Sequence, residues 1–279
     1  MGMLSLAIWT PIAFGALLLA LGRDDQAKTV RWFALLGSLI SLLVTLPLYS
    51  GFELGTAELQ FVEKFMWIER FNVNYHVGVD GISLWFVLLT AFITVIVVIA
   101  GWEVITERVN QYMGAFLILS GLMIGVFSAV DAMLFYVFFE ATLIPLFFLI
   151  AVWGGRDRKW AAVKFFLYTL AGSLVTLSGL LYLVLYVSSQ GVPLKNPTNL
   201  PALTAWLKQN PLPEALQTAL FLAVSAGFLI KVPVFPFHTW LPDALLEGPI
   251  GIAVVLAGLK LGTFGFLRFS IPLLPDASK

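Results

Sequence analysis

The sequence predicts an all-α, polytopic membrane protein with about eight transmembrane helices. Of its 279 residues, 60% are hydrophobic and only 11% are charged, whereas a soluble domain has roughly 45–50% apolar and about 25% charged residues. Apolar runs of about 20 residues, the length that crosses the hydrocarbon core as a helix, recur along the chain. We place the spans at 3–21, 30–49, 81–101, 112–130, 132–153, 162–187, 217–237 and 248–270.

Charge balance and cysteine content exclude several classes of protein. The 16 basic and 16 acidic residues cancel, which gives no reason to expect nucleic acid as a partner. The chain has no cysteine, so disulfides, thiolate catalysis and iron–sulfur ligation are excluded. With only two histidines, an imidazole metal site is poorly supported. We therefore expect no catalytic residue, metal or cofactor in this chain, which is not an enzyme on its own.

The positions of Lys and Arg predict the orientation in the membrane. The basic residues of the short connections after the first and fifth spans are Arg23, Lys28 and Arg31, and Arg156, Arg158 and Lys159. Short basic loops remain in the cytoplasm, so both termini are expected on the non-cytoplasmic side. That side also receives the longer connections 50–79 and 188–216. The second is either an ordinary surface loop or a loop followed by a short amphipathic segment beginning at Leu203.

Four charged side chains lie inside apolar, membrane-length stretches: Glu140, Lys164, Lys231 and Lys260. An ionisable group at bilayer depth costs on the order of a few kcal/mol, so it usually faces a protein interior or a water cavity and marks an ion or proton path. The pattern therefore indicates charge translocation. Two alternatives stay open: Glu140 is a neutral structural carboxyl, or Lys164 is an anchor whose ammonium reaches the lipid headgroups.

The most distinctive stretch runs from Lys231 to Asp243 and contains Pro233, Pro236 and His238. Two prolines three residues apart cannot both lie in an unbroken helix, because each lacks a donor and clashes with the carbonyl four residues back. We therefore expect the seventh helix to break here. Broken helices at membrane depth are tolerated around cavities and mark ion sites in transporters. His238 is then either a proton relay or a structural residue.

Two aspartates and three tryptophans have local structural interpretations. Asp80 and Asp131 each precede an apolar span, where a carboxylate caps the helix N-terminus. Trp102, Trp153 and Trp240 fall near predicted span ends, so we expect them to be interfacial anchors.

Four segments resemble a known family: Asn74–Leu84, Phe138–Glu140, Lys164–Thr169 and Lys231–Asp243. They are similar to the antiporter-like, proton-pumping chain M (chain 4) of NADH:quinone oxidoreductase, respiratory complex I, and the resemblance covers essentially the whole chain. The Lys231–Asp243 pattern is shared by the wider group of antiporter-like subunits, whereas Asn74–Leu84 points to chain M.

The resemblance implies a function, a setting and partners. It implies an intramembrane Glu/Lys/His relay that couples electron transfer to proton translocation. The family's positions match Glu140, Lys164, Lys231 and Lys260, and we add His238 by our own interpretation. The partners would be other membrane-arm subunits, including neighbouring antiporter-like ones. NADH, flavin, iron–sulfur clusters and quinone would lie on those partner subunits. The membrane would be the bacterial plasma membrane or the mitochondrial inner membrane.

The resemblance also implies a division of the chain. Residues 1–110 would be three N-terminal transmembrane helices, and 111–279 a five-helix antiporter-like repeat, the first of two inverted repeats in the family. Leu245 replaces the family's second histidine in this region, and the stretch up to Lys260 is about two residues shorter. Two residues rotate a continuous helix by about 200°, which would turn Lys260 away from the path.

Two other functions fit the same residues. A subunit of a multi-subunit cation/proton antiporter or of a membrane-bound hydrogenase shares the Lys231–Asp243 pattern. A truncated structural fragment without a complete proton path would contain the same apolar spans.

Overall fold

The computed structural model describes residues 2–71, 73–190, 196–258 and 260–279. Within these residues, eight helical segments are long and apolar enough to cross a membrane. They are Met3–Leu21, Asp24–Ser50, Gly81–Val104, Val109–Ser128, Ala132–Trp153, Arg158–Ser189, Glu214–Lys231 and Ile250–Leu273. Each overlaps one span expected from the sequence, so the polytopic, predominantly helical fold class is confirmed. We refer to them as the first to eighth spans.

Several spans contain more than one helix. In chain order the helices are α1 (Met3–Leu21), α2 (Ala27–Ser50), α3 (Gly81–Val104), α4 (Val109–Ser128), α5 (Ala132–Ala141), α6 (Leu143–Trp153), α7 (Arg158–Ser189), α8 (Leu200–Gln209), α9 (Glu214–Lys231), α10 (Trp240–Glu247), α11 (Ile250–Gly258), α12 (Leu261–Gly265) and α13 (Ile271–Leu273). A π-helical turn, Phe266–Ser270, joins the last two. Helix α4 lies at the centre, since it packs against α1, α2, α3, α5 and α6.

The two long connections contain secondary structure, of which the sequence analysis indicated only the amphipathic segment of the second connection. The 50–79 connection forms an antiparallel hairpin of β1 (Gln60–Ile68) and β2 (Val73–Val79), in which Lys64 pairs with His76. The 188–216 connection contains α8, whose first turn is capped by Asn199. Trp206 of this helix is 8% exposed. The amphipathic segment is therefore a packed helix, and the expectation of an ordinary surface loop was wrong.

Both aspartates act as helix caps, as the sequence predicted. Asp80 accepts hydrogen bonds from the N–H groups of Ile82 and Ser83, and Asp131 caps α5 in the same way. Asp80 also forms an ion pair with Arg268 at 2.6 Å. This pair joins the beginning of the third span to the end of the eighth, so the cap is also a tertiary contact.

A third carboxylate caps a helix from a distance. Helix α1 has no side-chain cap of its own, and a helix N-terminus leaves backbone N–H groups without partners. Glu63 of β1 accepts from the N–H groups of Gly2 and Ser5 at 3.1 and 3.0 Å and from the Ser5 hydroxyl. The negative carboxylate also suits the positive end of the helix dipole. Glu63 thereby fixes the hairpin to α1.

We expect the Glu63→Ala variant to lower the free energy of unfolding by about 1–3 kcal/mol, because buried N–H groups lose a charged acceptor. Thermal unfolding in detergent measures this change. Glu58→Ala, which removes an exposed carboxylate from the same connection, is the control and should unfold like the wild type. Equal unfolding of both variants would show that the hairpin is not held to α1 by this carboxylate.

Candidate functional site

The fifth span is distorted directly after Glu140. Helix α5 ends at Ala141 and α6 begins at Leu143. Pro145 has no N–H group, so it cannot donate to the carbonyl four residues before it. At the same interruption, the Thr142 hydroxyl donates to the Phe139 carbonyl at 2.7 Å. The missing donor of Pro145 accounts for the interruption between α5 and α6.

The seventh span breaks where the two prolines require it. Helix α9 ends at Lys231 and α10 begins at Trp240, and Pro233 and Pro236 lie between them. The Trp240 indole donates to the Ile230 carbonyl at 2.9 Å and is 2% exposed. The expectation that Trp240 anchors the protein at the membrane interface was therefore wrong, because its ring is buried and hydrogen-bonded at the end of α9.

Lys231 reaches across to the fifth span. Its ammonium donates to the Phe139 carbonyl at 2.9 Å and lies 3.1 Å from the centre of the Phe139 ring. A cation over an aromatic face is attracted by the ring quadrupole. The Phe139 carbonyl therefore accepts hydrogen bonds from both Thr142 and Lys231, and Phe139 is the residue next to Glu140.

Glu140 lies beside Lys231 without a direct ion pair. Among the described residues, Glu140 Oε1 is buried and has no hydrogen-bond partner. The carboxylate and the Lys231 ammonium interact electrostatically, and Ser173 of α7 lies beside the carboxylate. The Lys231 ammonium nitrogen is more than 4.0 Å from the Glu140 carboxylate oxygens, so the two groups form no salt bridge. The ammonium is hydrogen-bonded to the Phe139 carbonyl. The Lys231 ammonium thus contacts the residue next to Glu140 and not its carboxylate.

Lys260 faces the same cavity as Lys231. The two lysines line a cavity of about 60 Å³ together with Thr142, Trp240 and Thr263. Because one water molecule needs roughly 10–15 Å³ of such space, the cavity has room for a few water molecules. Lys260 is exposed, and its ammonium donates to the Leu256 carbonyl at 3.4 Å. Lys260 itself has non-helical backbone angles, and α12 begins at the next residue, Leu261, so the rotation expected for a continuous helix does not apply. The place of Lys260 in the proton path stays a prediction.

Lys164 contacts a different charge. Its ammonium forms an ion pair with Asp243 of α10 at 2.7 Å, and the lysine side chain is 19% exposed. Nearby, the Thr239 hydroxyl donates to the Tyr168 hydroxyl at 3.2 Å. The structure therefore joins Lys164 to α10, not to the cavity. The sequence did not indicate this partner, although Asp243 is an acid within reach of a lysine on a neighbouring span.

His238 lies outside this arrangement. It is exposed, its ring is 5.7 Å from that of Phe235, and it does not line the cavity. The described residues thus bring Glu140, Lys231 and Lys260 together, and they place Lys164 and His238 elsewhere.

Comparison with known proteins places this site in a family. The profile described as NADH:quinone oxidoreductase/Mrp antiporter, TM, matches residues 129–279. That described as NADH-ubiquinone oxidoreductase chain 4, amino terminus, matches residues 27–130. The chain belongs to the subunit M (chain 4) family of NADH:quinone oxidoreductase. The resemblance seen in the sequence is confirmed.

The relatives of this subunit M family chain are longer than the chain itself. NADH-quinone oxidoreductase subunit M of Rhodobacter capsulatus is 42% identical over 283 residues, which cover 98% of this chain and 54% of the relative. NADH-ubiquinone oxidoreductase chain 4 of Arabidopsis thaliana is 42% identical over 267 residues, which cover 95% of this chain and 52% of the relative. The chain therefore spans about half the length of the curated relatives it matches.

Solved structures share the fold of this subunit M family chain. A chain of respiratory complex I from Thermus thermophilus aligns over 98% of this chain and 54% of its own length, with a TM-score of 0.82 and 34% identity. A chain of the Mrp complex from Dietzia aligns over 98% of this chain and 29% of its own length, with a TM-score of 0.77 and 22% identity. The second likeness shows the fold alone.

Gly262 permits the close approach that places Lys260 beside the end of α9. A Cβ atom at this position would lie 2.6 Å from the Phe228 carbonyl oxygen and 2.7 Å from the Val232 side chain. We expect Gly262→Ala to lower the free energy of unfolding by about 1–3 kcal/mol, because overpacking moves the backbone. Thermal unfolding in detergent measures the change.

Gly81→Ala is the matched control for this prediction, since a Cβ there meets nothing within 4 Å. It should unfold at or above the wild-type temperature. Equal stability of the two variants would mean that the seventh and eighth spans do not depend on the contact at Gly262.

Proposed function

We propose that this chain provides one half-channel of an antiporter-like membrane subunit that couples electron transfer in NADH:quinone oxidoreductase to proton translocation. The observation that carries this proposal is the position of Lys231, which contacts Phe139 beside Glu140 and shares a cavity with Lys260. Lys231 thereby links ionisable groups of three spans, since it interacts electrostatically with Glu140 and lines a cavity with Lys260. Such groups inside a membrane protein mark proton relays.

The proposed mechanism uses two positions of the Lys231 side chain. Near the Glu140 carboxylate and the Phe139 carbonyl, the protonated ammonium is favoured, because an opposite charge within about 4–6 Å stabilises the charged form. When a neighbouring subunit moves the fifth span relative to α9, Lys231 loses these partners in a poorly hydrated site. It then releases its proton into the cavity towards Lys260. Return of the contact lets Lys231 take up another proton.

The ion pair of Lys164 and Asp243 supports this cycle from outside the cavity. It holds α10 against α7 at a side-chain separation of 2.7 Å. Because α10 begins with Trp240, whose indole is bonded to the end of α9, the pair fixes the segment after the break. We propose that Lys164 stabilises the broken helix and that the exposed His238 exchanges protons with water at the same break.

The orientation that we propose places both termini on the non-cytoplasmic side. Two hydrogen bonds support it, because they hold the basic connections on one face. The Asn110 amide donates to the Gly22 carbonyl, and the Trp153 indole donates to the Glu107 carbonyl, both at 2.9 Å. Since short loops rich in Lys and Arg remain in the cytoplasm, that face is cytoplasmic. The membrane is the bacterial plasma membrane or the mitochondrial inner membrane.

The same proposal covers partners, cofactors and the division of the chain. We propose that neighbouring antiporter-like subunits bind this chain in the membrane arm, and that NADH, flavin, iron–sulfur clusters and quinone are bound by other subunits. Residues 1–110 then form the peripheral three-span unit, and 111–279 form the translocating repeat. The two subunit M and chain 4 relatives at 42% identity favour this function over a cation/proton antiporter, a hydrogenase subunit or a structural fragment.

We expect Glu140→Gln and Lys231→Ala, each in the assembled complex, to retain quinone reduction in detergent and to lose proton pumping in vesicles several-fold. The reason is that neither variant can alternate between the two charge states of the pair. Proton uptake per electron, measured with a pH-sensitive dye, is the readout.

Glu103→Gln and Lys159→Ala are matched controls, because they make the same changes at exposed positions. Both should pump like the wild type. Wild-type pumping per electron in Glu140→Gln and Lys231→Ala would contradict the proposed function.

A further inference from the structure

We propose that His76 and Asn199 form a pH-sensitive latch, which holds the start of α8 against the β-hairpin while His76 is neutral and releases it when His76 is protonated. The latch lies outside the membrane spans and involves none of the residues of the proton path. It depends on one hydrogen bond, 2.8 Å long, between His76 Nδ1 and Asn199 Nδ2. Both side chains are buried.

The direction of this hydrogen bond follows from the cap of α8. The Asn199 side-chain oxygen accepts from the Ala202 N–H at 3.0 Å, which is the N-cap bond of the helix. The amide nitrogen of Asn199, a donor only, must therefore face His76. His76 Nδ1 is then the acceptor, so the imidazole is neutral and carries its proton on Nε2. A second proton on Nδ1 would place two donors against each other.

The latch connects three parts of the chain. The His76 carbonyl accepts from the Val130 N–H at 2.9 Å, and the Val130 carbonyl accepts from the Leu200 N–H at 3.0 Å. The fully buried Asp131, which caps α5, accepts from the Thr198 hydroxyl. The hairpin, the beginning of α5 and the segment before α8 thus form one hydrogen-bonded unit. This unit lies at the N-terminus of α5, the helix that carries Glu140 near its other end.

The charged groups facing His76 are Lys64, its pairing partner on β1, and Asp131 at the start of α5. Burial lowers the pKa of His76 below its ordinary value of 6.5, the Lys64 ammonium lowers it further, and the Asp131 carboxylate opposes both. A group whose pKa is lowered by folding stabilises the fold in its neutral form. The latch is therefore complete above pH 6.5 and is lost as the pH falls through the lowered pKa.

The location of the latch gives this titration a consequence, which rests on the proposed function and orientation. The hairpin and α8 lie on the side that receives pumped protons. Strong acidification of that side would protonate His76 and loosen the contact between the hairpin, α5 and α8. The chain would then sense the product of its own transport at the end of the helix that carries Glu140.

Amide hydrogen exchange of α8 in the purified assembled complex tests the latch without measuring transport. We expect protection of residues 200–209 in the wild type to fall roughly threefold to tenfold as the pH falls from above 6.5 through the lowered pKa of His76, the effect of losing one hydrogen bond of ordinary strength. His76→Gln offers an amide oxygen that accepts from Asn199 and does not titrate. Its protection, compared at the same pH values, should not fall in this way.

Asn199→Asp reverses the expected sign. A carboxylate still caps α8 through one oxygen, and its other oxygen favours protonated His76. Protection should then rise as the pH falls. The latch would be overturned if protection had the same pH dependence in the wild type and in His76→Gln. It would also be overturned if protection in Asn199→Asp fell with falling pH, as in the wild type. If Glu140→Gln and Lys231→Ala pump protons like the wild type while these changes in hydrogen exchange are seen, the latch stands and the proposed function is contradicted.

Discussion

The hydrogen bond between the Lys231 ammonium and the Phe139 carbonyl is the contact on which the site depends. A charge inside the membrane needs polar partners, and α9 ends at Lys231, so the partner comes from another span. The fifth span can provide it because its helix is distorted at Thr142, where the Phe139 carbonyl accepts from the threonine hydroxyl as well. Glu140 is thereby held beside Lys231 without being bonded to it.

Helix interruptions explain why these ionisable groups can meet. Glu140 lies one residue before the end of α5, Lys231 is the last residue of α9, and Lys260 immediately precedes α12. The end of a helix leaves backbone carbonyls without partners, and a cation in the last turn is favoured by the helix dipole. The break after α9 therefore stabilises the Lys231 ammonium, whereas Glu140 at the C-terminal end of α5 and Lys260 before the N-terminus of α12 are not favoured by the dipole.

The features that local rules control could be predicted from the sequence. The eight spans follow from apolar length, the break after Lys231 follows from two prolines, and the caps at Asp80 and Asp131 follow from position. The facing of Lys260 and the Lys164 ion pair could not be predicted, since each depends on contacts between separate spans. Lys164 and Asp243 are 79 residues apart. The hairpin was missed because its pairing was not visible in a connection expected to be irregular.

We propose that Glu140, Lys231 and Lys260 share one hydrated seam between the fifth, seventh and eighth spans. An electron cryo-microscopy map of the assembled complex that resolves ordered water tests it most directly. Water density is expected between the Lys231 and Lys260 ammonium groups, with the Glu140 carboxylate facing the same seam. Dry packing between the two lysines, or a Glu140 side chain turned towards lipid, would contradict it.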